Sequence, residues 1–452
     1  MSALRLFIAN RGEIAIRVID ACQSLGIETV LGVSSADKDT LGAARATHCV
    51  TLGGARAAHS YLNQAAIIHA ARMTGCKAIH PGYGFLSERA DFARACADHG
   101  LTFIGASPEQ LETLGDKLIA RAFAQSVGVP VSPGGPTSSL EEARIVGGDL
   151  GYPLLIKAAF GGGGRGMKLV EQAADLADAW TIAASEAAAA FGDGTVFIER
   201  FVRAAKHIEV QILGDGRGHC IHLGERECSL QFRYQKMLEE APSSALRPEH
   251  RTLLHSYALR IGRGLNCLGL ATVEFLFDVE QGAIWFLEVN PRIQVEHPVT
   301  EAVTGIDLVR EQILLALGEP MRLMQDDIKL EGHAVELRLT AQDPAHRLKP
   351  SPGVVRTWRP PLLGGVRWDT HIYEGYHFPP YYDALMAKII AYGHDRATAL
   401  SRATRAITEL QVSGLATNAA LLRHVLASPA ITGNLVTTRW LEEQLAKGAF
   451  SQ

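Results

Sequence analysis

Three signatures of common nucleotide and redox proteins are missing from this 452-residue chain. No Gly-x-x-x-x-Gly-Lys-Ser/Thr loop is present, which excludes a P-loop nucleotidase. No Gly-x-Gly-x-x-Gly follows the first apolar run, so a dinucleotide-binding fold has little support. No Cys-x-x-Cys occurs. The seven cysteines are odd in number and dispersed, which reads as reduced thiols and not as a disulfide framework or zinc site. There is no apolar run long enough to span a bilayer and no signal peptide, so a cytoplasmic location with no membrane partner is expected. Neither sign of charge dominates. With 44 Lys and Arg against 48 Asp and Glu, the net charge is −4, and nothing points to nucleic acid.

What is present is an ordinary globular composition, 47% hydrophobic and 20% charged. At roughly 100–200 residues per domain the length implies two to four domains. The N-terminal third alternates strand and helix: Leu4–Ala9, a helix carrying Ile14, Val18, Ala21, Cys22 and Leu25 and stopped by Gly26, then Thr29–Val33, Asn63–Arg72, Ala78–His80, Asp91–Asp98 and Thr102–Ile104. That order predicts a doubly wound parallel sheet. Val131 to Pro136 is rich in Pro and Gly and reads as a junction into a small α+β lobe ending near Val202. A β-rich region follows, with a hairpin of Val273–Asp278 and Ala283–Asn290 turned at Gln281-Gly282. The C-terminal third mixes strands (His333–Thr340, Ala387–Tyr392) and helices (Ala397–Leu410, Asn418–Leu426), so the fold class is α/β with α+β.

The run Gly161-Gly162-Gly163-Gly164-Arg165-Gly166 sits between the apolar strands Leu154–Ile156 and Met167–Val170. Consecutive glycines cost backbone entropy and suit a loop whose bare amides close over phosphates. Lysine (Lys157) precedes the glycines and a strand follows them, so the loop is a glycine-rich hairpin of the ATP-grasp kind. A floppy linker is the competing reading, and linkers are rarely held between two apolar β runs.

From Leu287 to His297, Glu288, Asn290, Arg292, Gln294 and Glu296 share one parity while Leu287, Val289, Ile293 and Val295 alternate with them. An extended segment would line them on one face, and Pro291 biases Asn290 toward that conformation. Glu288, Asn290 and Glu274 supply the hard oxygens that Mg²⁺ takes beside phosphates. Arg292 can clamp a small oxyanion, and Glu296, beyond the metal ligands, can act as a base. A solvated strand face with salt bridges is the alternative. Lys117, at a helix start, and Lys157 make sense as point charges near phosphates, though either alone could be a surface lysine. Phe197–Val202 reads as a strand whose backbone could hydrogen-bond an adenine, or as a plain core strand. Cys228 has no identifiable base or oxyanion hole, so a nucleophile is rejected.

Together these residues resemble the biotin carboxylases, the ATP-grasp component of biotin-dependent carboxylases. The resemblance covers nearly the whole chain: Ala9–Ala15 (ANRGEIA), His80–Glu88 (HPGYGFLSE), the glycine run, Glu225–Ser229 (ERECS), Arg292–Thr300 (RIQVEHPVT), Gly332–Arg338 and Pro379–Asp383 (PPYYD). It implies a Rossmann-like N-terminal domain over 1–113, an ATP-grasp domain over 114–328 with its flap lobe near 131–202, and a C-terminal domain over 329–447. It implies ATP contacts from Lys117, Lys157, Gly163, Gly164, His207 and the backbone of Glu199, Arg200, Phe201 and Val202. Tyr234 stands where the family has a histidine near the ribose. Two Mg²⁺ or Mn²⁺ ions would lie on Glu274, Glu288 and Asn290. Bicarbonate would meet Lys236, Arg292, Gln294 and Val295, with Glu296 as its base and Arg338 on the biotin ureido oxygen. Phe232 replaces a family arginine and Phe160 a flap glycine, which makes nucleotide affinity the property to watch. No Met-Lys-Met occurs, so a separate biotin carboxyl carrier protein and a carboxyltransferase are the expected partners unless the chain is one portion of a longer polypeptide, and a homodimer is the expected assembly. Another ATP-grasp carbon–nitrogen ligase is the main alternative.

Overall fold

The computed structural model describes residues 4–158, 167–192 and 194–449. Arg5–Ile8 (β1), Glu28–Ser34 (β2), His48–Gly53 (β3), Ala78–His80 (β4) and Thr102–Phe103 (β5) form a parallel sheet in the order β3-β2-β1-β4-β5. The order reverses between β1 and β4, and in such sheets ligands gather beyond the carboxyl ends of the strands at that point. Two of the quoted motifs start there. Asn10, just after β1, donates through Nδ2 to the carbonyls of Pro81 (2.6 Å) and Tyr83 (2.8 Å) just after β4. Gly82 has φ +62°, and a Cβ on it would meet Asn10 Nδ2 at 2.7 Å, so this junction admits only glycine.

The small lobe is a four-stranded antiparallel sheet of Gly134–Thr137 (β6), Leu154–Ala158 (β7), Lys168–Val170 (β8) and Val196–Arg200 (β9), in the order β6-β9-β7-β8. Leu154, Ile156, Val170, Val196 and Ile198 pack against Leu176, Ala183 and Ala187 of its long helix. β7 and β8 pair antiparallel, so the chain between them joins two hairpin strands. The glycine run itself, Gly163 and Gly164 with it, and Phe160 lie outside the described residues. The Pro/Gly-rich segment is more than a junction. Gly134–Thr137 forms an edge strand on β9, where Pro136 is tolerated and where a Cβ on Gly134 would strike the Ile198 carbonyl at 2.3 Å. The strand expected over Phe197–Val202 ends at Arg200.

The largest sheet is antiparallel and has eight strands. Ala205–Asp215 (β10), Cys220–Phe232 (β11), Gln235–Ala241 (β12), Leu268–Asp278 (β13), Ala283–Asn290 (β14) and His333–Thr340 (β15) run in the order β14-β13-β10-β11-β12-β15, followed by the strands Leu385–Gly393 and Val366–Thr370. β12 pairs directly with β15, so hydrogen bonding continues across the boundary expected near residue 328. On one face of β15, Val335 and Leu337 pack on Ala399, Ala403 and Leu422 of the C-terminal helices. On the other face Ala334 and Ile390 pack on Val299 and Val303 of the helix His297–Thr304. Glu336 and Arg338 share that second face.

The segment from Leu287 to His297 is extended only as far as Asn290, the end of β14. Beyond Pro291 the Arg292 amide turns back onto the Asn290 carbonyl (2.9 Å), and Glu296 is the N-cap of the following helix. The strict alternation of polar residues therefore does not describe one strand face.

Candidate active site

The site is built on register. Arg226 of β11, Glu209 of β10, Glu274 of β13 and Glu288 of β14 are successive cross-strand partners. Three carboxylates in a row repel one another and are stable only with cations between them. Lys236 of β12 supplies the first, its Nζ lying 2.6 Å from Glu209 Oε2, 3.1 Å from Glu274 Oε1 and 2.6 Å from Glu296 Oε1. Arg226, fully buried, caps the row by donating to Glu209 (2.5 Å), Gln211 (2.8 Å), Thr300 (3.0 Å) and Thr272 (3.1 Å).

Burial would raise the carboxyl pKa values of Glu209 and Glu274. Lys236, helped by Arg226 on Glu209 and by His207 on Glu274, outweighs it and holds both well below the usual range. His207 Nε2 lies 3.0 Å from Glu274 Oε2. Burial would discharge that imidazole, but the carboxylates prevail and push it up to about 9. Glu288 differs. It makes no ion pair among the described residues, and burial together with Glu274 pushes its pKa up. A cation between Glu274 and Glu288 would relieve that repulsion, so the donor set fits a divalent metal. The atoms of His207, Glu209 and Glu274 also lie within 4.8 Å of one another, but the Lys236 ammonium already serves two of those carboxylates.

The turn after β14 brings its polar groups to the same place by a different route. Asn290 Nδ2 donates to Glu274 (3.0 Å), and Gln294 Nε2 donates to the same oxygen (3.2 Å). Arg292 donates to Asn290 Oδ1 (3.1 Å), Gln294 Oε1 (3.0 Å) and Glu88 (2.8 Å). Glu296 is 1% exposed and held between two cations, Lys236 and Arg338, the latter with Nη2 2.9 Å away. Burial would raise the Glu296 pKa, but Lys236 and Arg338 keep it below the usual value, so this carboxylate is ionised and able to accept a proton. The Val295 carbonyl accepts from the fully buried Lys388 (3.0 Å).

Lys117 opens the helix Lys117–Ser126, whose N-cap is Asp116, and its charge is felt by Glu288. Lys157, at the end of the flap strand β7, pairs with Glu199 (2.9 Å) and is thereby aimed along β9. The amides of Arg200 and Phe201 already donate to the carbonyls of Pro133 and Pro153, so a ligand here would meet carbonyl oxygens and not these two amides. Tyr234 is 53% exposed in the two-residue turn joining β11 to β12, where both Arg233 and Tyr234 have positive φ.

The biotin carboxylase N-terminal domain family matches residues 2–111, the carbamoyl-phosphate synthase L chain ATP-binding domain 116–324, and the biotin carboxylase C-terminal domain 336–443. The biotin carboxylase of Nostoc sp. is 46% identical over 441 residues, which is 97% of this chain and 98% of that protein. The chain belongs to the biotin carboxylase family. Its fold superposes on the Campylobacter jejuni biotin carboxylase complexed with β,γ-ATP at a TM-score of 0.94, with 41% identity over 97% of this chain and 98% of that one. It superposes at 0.93, with 40% identity over 97% of each chain, on the biotin carboxylase domain dimer of the Hydrogenobacter thermophilus 2-oxoglutarate carboxylase, complexed with MgADP, ADP and bicarbonate.

Several charged groups of this family member's site escape a reading of its sequence alone. Glu209 and Gln211 follow His207 in strict polar–apolar alternation, a signal of the same kind as that in β14. Lys388 is the solitary charge of its strand, and Arg226 and Glu239 lie beside other charges in strands that are largely buried; a buried charge in such a strand marks an ion-pair partner on a neighbour.

Proposed function

We propose that the chain carboxylates N1 of biotin, using ATP and bicarbonate, with biotin presented on a carrier protein. The observation that carries this reading is the Glu296 carboxylate held between Lys236 and Arg338, with Arg292 and Gln294 alongside. A carboxylate base set among cations of this kind suits a small oxyanion and a ureido oxygen. Lys236 and Arg292 bind bicarbonate and offset its repulsion from the γ-phosphate, and the Gln294 side chain and Val295 backbone orient it. Glu296 removes the bicarbonate proton, and the freed oxygen attacks the γ-phosphate to give carboxyphosphate and ADP. Carboxyphosphate breaks down to CO₂ and phosphate, which takes the biotin N1 proton. Arg338 stabilises the enolate-like ureido oxygen while N1 attacks CO₂. Lys117, Lys157, His207, Tyr234, the Glu199–Val202 backbone and the loop bearing Gly163 and Gly164 hold the nucleotide. Glu274, Glu288 and Asn290 would hold two divalent cations, Mg²⁺ or Mn²⁺, which when bound would neutralise charge on the phosphates.

The division into units 1–113, 114–328 and 329–447, a homodimer, a cytoplasmic location and partnership with a carboxyltransferase belong to the same proposal. The dimer named for the Hydrogenobacter thermophilus domain supports the assembly. For the final acceptor we propose acetyl-CoA or another acyl-CoA, which would place the reaction in fatty acid synthesis. ADP release from MgATP, measured with and without bicarbonate and with and without free biotin, tests the reading. Release that needs bicarbonate and rises with biotin is expected. Release indifferent to both would favour another ATP-grasp ligase.

A further inference from the structure

One buried acid beside this site has no role in the scheme above. Glu336 is fully buried in β15, and neither carboxyl oxygen has a hydrogen-bond or ion-pair partner among the described residues. Its register partner on β12 is Glu239. Glu239 Oε1 accepts from Arg338 Nε at 2.5 Å, while its Oε2 is also buried and unpartnered. Directly opposed residues of an antiparallel pair have Cβ atoms about 4.5–5.5 Å apart, on the same face of the sheet. Two ionised carboxylates so placed would be adjacent buried charges with one guanidinium between them, a costly arrangement. One proton removes the conflict, because a protonated carboxyl donates to its neighbour's free oxygen.

The geometry points to a proton held on the Glu336 carboxyl and donated to Glu239, which makes Glu336 a positioning residue for Arg338. The pair then presents one negative charge to Arg338 instead of two, and the guanidinium keeps its second contact, Nη2 on Glu296. The surrounding charges agree. Lys388, on the adjacent strand Leu385–Gly393, is committed to the Val295 carbonyl, Glu13 (3.3 Å) and Asp369 (3.9 Å). Lys236, on β12 with Glu239, is committed to Glu209, Glu274 and Glu296. Glu296 acts on both carboxyls from the N-terminus of the helix His297–Thr304, and burial and the nearby cations keep the adjoining His297 neutral. Lys388 and Arg338 favour an ionised Glu336, but burial, Glu239 and Glu296 prevail and hold its pKa well above the usual range. Burial also pushes Glu239 up to about 7 against the pull of Arg338. A raised pKa means that the proton is present at neutral pH and lost as pH rises. The dianionic pair would then draw Arg338 toward β12 and away from biotin.

This inference rests on Arg338 as the biotin contact, and its test separates the two. Infrared difference spectra of wild type against Glu336→Gln at neutral pH should show a protonated-carboxyl C=O band in wild type that the variant lacks. No such band overturns the shared proton, whatever the activity. In turnover assays with free biotin, Glu336→Leu should lose roughly 100-fold, the scale of a misplaced reacting group, while Glu336→Gln, which still donates to Glu239, stays within about fivefold of wild type. Bicarbonate-dependent ADP release without biotin should change far less in either variant. The fall of biotin-dependent turnover at alkaline pH should flatten in Glu336→Gln. Equal losses in both assays, or a Gln variant as damaged as Leu, would overturn the positioning role. A wild-type enzyme without biotin stimulation would instead sink the functional reading and leave the infrared result standing.

Discussion

Replacing Glu296 by glutamine removes one charge and almost no volume. The geometry states what should follow. Lys236 loses its ionic contact to Glu296 at 2.6 Å but keeps Glu209 at 2.6 Å and Glu274 at 3.1 Å. Arg338 loses its contact at 2.9 Å but keeps Glu239 at 2.5 Å. Neither cation is left buried and alone, so the loss of about 3–5 kcal/mol that follows from breaking an isolated buried pair does not apply. The amide oxygen can still accept from one of the two cations, so the net loss should be nearer one charge-assisted hydrogen bond, about 1.5–3 kcal/mol. Catalysis should suffer far more, because an amide cannot take the bicarbonate proton. Removal of a general base typically costs about 10²–10⁴-fold. Bicarbonate-dependent ADP release should fall by that factor, while MgATP binding measured by calorimetry and the denaturation midpoint change little. Turnover within a few-fold of wild type would remove Glu296 as the base. A variant that no longer binds MgATP would show that the charge network, and not proton transfer, is what Glu296 serves.

Three further outcomes are expected. Arg338→Ala should reduce biotin carboxylation at least about tenfold more than biotin-independent ATP cleavage, because only the former needs the ureido oxygen stabilised; equal losses would make Arg338 a structural residue. Arg226→Met should destabilise the fold by about 1.5–3 kcal/mol, because Glu209 keeps Lys236 but loses its charge-assisted bond to Arg226, while Gln211, Thr272 and Thr300 each lose a buried donor, and urea denaturation measures the loss. His207 titrates near 9 in the folded protein, above its unfolded value, so its contribution is complete below the unfolded pKa of about 6.5 and is lost as pH rises toward 9. The stability gap between wild type and His207→Gln, measured without metal, should therefore narrow over that window; a gap independent of pH would show that the imidazole is neutral.

The parts of this site that a reader can find in the sequence are those that lie within one strand or one short motif. Glu274, Glu288 and Asn290 are legible because a hairpin with a period of two places them, and the strand register agrees. Arg292, Gln294 and Glu296 were legible as candidates but for an incomplete reason. The alternation continues in letters after Pro291 although the backbone has left the strand, and a turn and a helix N-cap bring the same groups together. Alternation along β15 marks Arg338, but the roles of Lys236 and Arg338 rest on the family motifs, since nothing in the order of residues reveals that β12 lies between β11 and β15, nearly a hundred residues further on. Strand order is a long-range property fixed by packing of whole sheets, and local patterns do not encode it. The same gap hid Glu209 and Glu239, whose partners sit on other strands.

The density of charge has a consequence for how substrates enter. Around Lys236 the ionised groups are nearly balanced: Glu209, Glu274 and Glu296 against Lys236, Arg226, Arg338 and the protonated His207. Binding bicarbonate or phosphate there need not create new cationic contacts from exposed side chains. On the proposed reading, Lys236, with three carboxylate partners, and Arg292, with four acceptors, would each exchange one partner for the ligand. The exchange is nearly isoelectric, so the desolvation that normally opposes burial of an ion pair has already been met in folding. It also makes the base responsive. If Lys236 turns to bicarbonate as proposed, the cation that lowers the Glu296 pKa most would be shared, and Glu296 would become more basic at the moment a proton is available to it.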